Sequence, residues 1–173
     1  MPMLLLMGML PLVFTKTLGL CIDVYTQYES PYGGQGPNNP SNMFGPQDEV
    51  CLFALVTYNE DPVQQKLVGF QITHGEFNFY RENSTNEDGI AIVCFKIPWP
   101  SDDPVDRVFG EWDVIATVEV AEQKVNDTLR FQVSWPVEIV SVKPTCYAHK
   151  NIVGQGYMLN IDVTVENKGY YNE

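Results

Sequence analysis

The chain has 173 residues, 10 Lys+Arg against 22 Asp+Glu, and a formal net charge of −12. Affinity for phosphate needs clustered Lys and Arg, so this balance argues against nucleic acid and against docking on anionic headgroups. Hydrophobic residues make up 45% and charged residues 18%, enough to bury a core, and the length suits one domain of usual size plus a partial second.

Met3 to Phe14 is an uncharged apolar run. It is shorter than the roughly 20 residues of a transmembrane helix and suits the apolar region of a secretory signal. Thr17 and Gly19 place small residues at −3 and −1 of a cleavage after Gly19. Residues 1–19 are therefore expected to be a signal peptide or hydrophobic anchor, and the protein to be extracellular or at the cell surface. A hydrophobic first strand is the alternative, because no basic residue precedes the run.

The next elements follow a period of two. Cys21 to Gln27 reads as a first strand, and Tyr32 to Pro46, rich in Gly, Pro and Asn, as a long irregular loop. Val50 to Tyr58 is apolar on both faces, as a central strand is. Asn59-Glu60-Asp61-Pro62 is a turn. Leu67 to Thr73 is a strand, Phe77 to Arg81 a short edge strand, and Ile90 to Ile97 a strand entered through Asn86-Glu87-Asp88-Gly89. Trp112, Val114, Ala116, Val118 and Val120 alternate with polar residues, as a half-buried strand requires. Leu129, Phe131, Val133 and Trp135 do the same, which predicts that Trp112 and Trp135 face inward. Ala121 to Lys124 is the hairpin turn between those two strands. No stretch carries a helical stripe. Seven short strands between about residues 20 and 135 indicate an all-β, antiparallel, immunoglobulin-like β-sandwich.

After Trp135-Pro136 a second unit begins, residues 136–173. Val137 to Val142 and Tyr157 to Val165 alternate, and Pro144 to Gly156 is expected to be a loop. Two strands do not make an independently stable sandwich. They either pack on the first domain or begin a second module that is incomplete here, and the Pro136 hinge favours the second reading.

Candidate chemistry is sparse. His74 and His149 are isolated, and there is no nucleophile elbow, P-loop or zinc-protease motif, so no catalytic residue is proposed. Cys21, Cys51, Cys94 and Cys146 lack metal-ligand spacing. They are either free thiols acting as small hydrophobes or disulfide partners. Strand parity puts Cys51 and Cys94 on neighbouring second and fifth strands, which makes them the pair of choice. Calcium is the one ligand with a physical argument. The turns carrying Asn59, Glu60, Asp61, Asn86, Glu87, Asp88 and Glu122 should share one end of the sandwich, and calcium takes six to eight oxygens. Asp48, Asp102, Asp103 and Asp106 would gather at the other end. The alternative is a solvated acidic surface. Asn83-Ser84-Thr85 and Asn126-Asp127-Thr128 are glycosylation sequons, with Asn83 expected to be the more accessible. Tyr28 and Tyr32, beside Tyr25, are candidates for an exposed patch that binds a carbohydrate or a partner.

The order of motifs resembles a known family. Phe44-Gly45-Pro46-Gln47-Asp48-Glu49-Val50 resembles the F-x-P-x-(D/E)-x-V opening of the first core strand in macroglobulin-2-like domains. Thr57-Tyr58-Asn59, Pro62-Val63-Gln64 and Val68-Gly69-Phe70 are similar to that family's hairpin. Thr85 to Ala91 resembles its T-(N/D)-x-x-G-x-A segment. Phe95 to Pro98 with Phe109-Gly110-Glu111-Trp112 resembles its F-x-(L/I)-P and G-x-W pattern. The likeness spans about residues 20–135 and extends to immunoglobulin-like modules of large archaeal and bacterial surface proteins. Ile161 to Gly169 is similar to an I-x-V-T-V-x-N-K-G edge of adhesion-type sandwiches. The resemblance implies an extracellular spacer or adhesion module without catalysis, whose partners are neighbouring β-sandwich modules. No Cys-Gly-Glu-Gln thioester motif is present, so protease trapping does not carry over. The alternatives are a filament or sheath subunit that assembles by strand exchange through residues 137–165, and a carbohydrate-binding module using Tyr28 to Tyr32.

Overall fold

A computed structural model describes residues 19–100, 105–151 and 154–168. The proposed signal segment, apart from Gly19, lies outside the described residues, as do Asp102 and Asp103. The strands are β1 (Leu20–Thr26), β2 (Glu49–Tyr58), β3 (Asp61–Pro62), β4 (Leu67–His74), β5 (Phe77–Ser84), β6 (Ile90–Lys96), β7 (Gly110–Val120), β8 (Gln123–Val133), β9 (Val137–Asn151) and β10 (Gly154–Asn167). A single helical turn, α1 (Val105–Val108), precedes β7.

The architecture is an antiparallel β-sandwich. In one sheet β2 is central, with β1 on one side and β6 on the other, and β3 extends β6's edge. The other sheet has the order β5-β4-β7-β8. Alternation explains the packing between them. Val50, Leu52, Ala54 and Val56 of β2 face Val68, Phe70 and Ile72 of β4 and Trp112, Val114 and Ala116 of β7 across one shared core. Trp112 is the largest fully buried side chain and lies towards the β4–β5 hairpin end of the core, with Phe77, Phe95 and Phe131 at centroid distances of 6.0 to 6.1 Å. Its indole N–H donates to the Val108 carbonyl at 3.0 Å, so this buried donor is satisfied. The turn α1 therefore has a packing role at the mouth of the core.

Two strands differ from the expectation. β8 ends at Val133, so Trp135 leaves the inward register. It is 47% exposed and packs on Trp99 at 5.6 Å and Phe109 at 5.4 Å. The expected loop from Pro144 to Gly156 is mostly strand: β9 and β10 form a long two-stranded ribbon through Lys150↔Gln155 and Asn151↔Gly154. Pro144 is tolerated because β9 pairs on one side only, which leaves the other edge without a ladder to break.

Candidate interaction surfaces

The registers place the turns at 59–60, 85–89 and 121–122 at one end of the sandwich. The proposed calcium ligands, however, do not converge. Among the described residues no group of three or more His, Cys, Asp or Glu side chains could hold a metal ion. Asn59, Glu60 and Asp61 are spent on a tight turn instead. Asn59 and Glu60 adopt positive φ of 51° and 76°, Asn59 Oδ1 accepts the Gly19 N–H at 2.8 Å, and Asp61 pairs with Tyr58. On the next turn Asn86 Oδ1 accepts from Asp88 and Ile90 at 3.0 and 2.9 Å, leaving Glu87 and Asp88 exposed. Short acidic turns of this kind supply backbone caps. At the opposite end, the side chain of Asp106 is outside the described set, and Asp48 Oδ2 accepts the Gly45 N–H at 2.6 Å.

Cys51 and Cys94 stand directly opposite in the β2–β6 register and are joined by a disulfide. The bridge lies on the outer face of its sheet, beside Phe53, which stacks on Tyr25 at 5.6 Å, and Cys94 is exposed. Cys21 and Cys146 are free thiols.

Both sequon asparagines are exposed. Asn83 is engaged twice, donating Nδ2 to the Ile92 carbonyl at 2.8 Å and accepting the Ser84 N–H at 2.8 Å. Asn126 is exposed near the β7–β8 turn, while Asp127 beside it is buried. Tyr28 is not part of an exposed patch. Its ring stacks on Phe44 at 4.8 Å and its hydroxyl donates to the Met43 carbonyl at 3.1 Å. Tyr32 is 38% exposed, in a loop held by its own backbone bonds.

That loop, expected to be irregular, is a seam between the two sheets. Thr26 N–H donates to Gly33 O at 2.8 Å, Ser41 N–H to Arg130 O at 2.7 Å and Phe44 N–H to Gln132 O at 2.9 Å. Pro40 and Phe44 thereby run parallel to β8 and cover its edge, which blocks unwanted pairing there. Asp127 is the key residue. Its two oxygens accept the Val24 N–H at 2.9 Å and the Asn38 N–H at 3.1 Å. Asp23 holds Gly36 N–H at 3.0 Å. Burial pushes the Asp23 carboxyl above the ordinary carboxylate range, the Gly36 N–H draws it back and the negative Asp127 raises it further. Nothing in the spacing marked Asp23 and Asp127 as partners, because they meet across 104 residues only after the sandwich closes.

A shallow groove of about 510 Å³ crosses the outer face of β7 and β8 under Asn38 and Pro40, lined by Thr73, Asp113, Thr128 and Arg130. Arg130 is neutralised there by Asp113 and Glu111 at 3.0 and 3.1 Å. No aromatic side chain lines this groove, so it lacks the stacking platform expected of a sugar site.

The ribbon has two chemically distinct faces. Directly opposed residues share a face, and the pairs Val142↔Val163, Pro144↔Ile161, Cys146↔Leu159 and Ile139↔Val165 put apolar groups on one side. Glu138↔Glu166, Ser141↔Thr164, Lys143↔Asp162 and Thr145↔Asn160 make the other side polar. A register shift between Thr164 and Val165 leaves Val140 as the bulged residue and keeps the apolar side in phase on both sides of it. At the root, Lys168 bridges Glu166 and Glu138 at 2.7 and 3.1 Å, and its N–H donates to Pro136 O.

No protein-family model matches this chain, and no curated protein matches it in sequence.

Proposed function

We propose that this chain is a non-catalytic structural or adhesion module that works outside the reducing cytoplasm, as part of a cell-surface protein. The macroglobulin-like resemblance of residues 20–135 belongs to this reading. The observation that carries it is the Cys51–Cys94 disulfide on an outer sheet face. A bridge on a solvent-facing sheet surface persists where thiols are oxidised and is exposed to reduction where glutathione is abundant. His74 fits the same reading, and the side chain of His149 lies outside the described residues. His74 stacks flat on Trp112 at 4.9 Å with Nδ1 at 2.6 Å from the Glu111 carbonyl, a packing role with no nucleophile beside it.

The test is a thiol map of protein isolated from its own cells without reductant. Alkylation is expected to label Cys21 and Cys146 and spare Cys51 and Cys94, and protease added to intact cells is expected to cleave the chain. Labelling of all four cysteines together with protection from external protease would overturn the reading.

A further inference from the structure

The apolar side of the β9–β10 ribbon has no cover among the described residues. Eight of its side chains are between 51% and 86% exposed, including Ile139, Leu159, Ile161 and Val163. None of them belongs to the sandwich core. Surface of this kind, contiguous and rimmed by polar residues, marks an interface.

We propose that this face is a self-association surface: two copies of the chain pack ribbon on ribbon, apolar face to apolar face, as a second small sandwich. Two observations select a second copy as the occupant. The first is area. Eight apolar side chains at half exposure or more present on the order of 800 Å² per copy, one side of a standard protein interface. The second is charge. Lys143, Lys150 and Lys168 balance Glu138, Asp162 and Glu166, so residues 137–168 are neutral while the chain as a whole carries −12. Sandwich bodies repel each other, and the ribbon is where two copies meet without net repulsion. A neutral apolar face is also complementary to itself, as a two-fold interface requires. A cleft of about 750 Å³ at the ribbon's root is lined by Met43, Trp135, Val137 and Ile139 together with polar Gln132, Ser134, Glu138 and Lys168, a mixed rim to the apolar face. This goes beyond the proposed function and stands on different observations, so either can fail alone.

The experiment is sedimentation equilibrium of the full chain from about 1 to 200 µM, with zwitterionic vesicle flotation alongside. A reversible dimer is expected. Ile161→Asp and Val163→Asp should each weaken it at least tenfold, whereas Thr164→Asp, on the polar face, should leave it unchanged. Near-UV signals from Trp112 in the sandwich verify folding of every variant. Cys146, on the apolar face and exposed, gives a second readout in a Cys21→Ser background: a short bismaleimide should link the two Cys146 thiols of a pair. A monomer at all concentrations, a dimer unaffected by both Asp variants, an open-ended series of oligomers, or flotation of monomers with the vesicles would each overturn the proposal.

Discussion

Among single residues, Asp127 has the largest structural role that its sequence position concealed. It is 5% exposed and satisfies two backbone donors on different segments, β1 and the 33–44 loop. Asp127→Ala leaves both N–H groups without their acceptor and is expected to cost about 2–4 kcal/mol, from the penalty of orphaned buried donors. The urea midpoint of the variant measures it. Asp23 acts in the opposite sense. Its carboxyl is raised above 3.8 in the folded chain, so the native state holds that proton more tightly than the unfolded chain. Its contribution to stability is therefore greatest at low pH and falls as pH rises from 3.8 through the raised value. Asp23→Asn should gain on the wild type across that interval and keep a constant lead above it. Parallel denaturation series at pH 3.5 and 7 will show this, and an equal difference at both values would contradict it. Neither role was legible beforehand, since buried carboxylates differ from surface ones only by what folds over them. Cys51 and Cys94, by contrast, were legible as a pair because strand parity is local and the sandwich topology makes the second and fifth strands neighbours across 43 residues.

At the level of elements, period-two alternation located β7 and β8, because a strand with one wet face must alternate, and β-rich apolar composition between turn signals located β2. Alternation failed where that condition lapses. Trp135 continued the alternation but stands beyond the last ladder residue of β8, so its side chain follows the chain's exit and not the pleat. The ribbon hid its full length behind Pro144, which is disfavoured only where both edges of a strand are paired. The turns at 59–60 and 85–89 stand where their residues indicated, because their geometry is local: Asn59 and Glu60 take positive φ and Asn86 caps its own turn. The β5–β6 connection offers a sharp test. Gly89 has φ +75°, and an added Cβ would sit 2.7 Å from Val56 O and 2.9 Å from Pro62 Cβ. Gly89→Ala is expected to destabilise by about 3 kcal/mol, combining strain with backbone overlap. Gly75, with φ +55° and open space around its Cβ, is the control, and Gly75→Ala should cost about 1 kcal/mol. Thermal melts of the two variants check the contrast.

For the whole molecule, the buried core draws on nothing beyond Val133 among the described residues. The sandwich should therefore stand without the ribbon. A chain ending at Pro136 is expected to melt within about 4 °C of the full chain, equivalent to less than about 1 kcal/mol. A larger loss, measured by calorimetry below the dimer range, would mean that the ribbon supports the body. Two-sheet architecture was readable from the sequence because it needs only strand count and periodicity. The uncovered ribbon face was only half readable: its alternation was plain, but its in-phase pairing through a bulge depends on register, which no local signal sets.

The seam has a mechanical consequence. β1 and β8 run in the same direction from the 59–60 end of the sandwich, so Gly19 and Ser134 leave at opposite ends. Tension between those points slides β1 past β8 lengthwise. The Asp127 clasp on Val24 and the 33–44 loop, bonded to Thr26 on one side and to Arg130 and Gln132 on the other, then share the load together. They would have to rupture at once and not in succession, so a chain held at both ends resists pulling along its length far better than its modest set of contacts suggests.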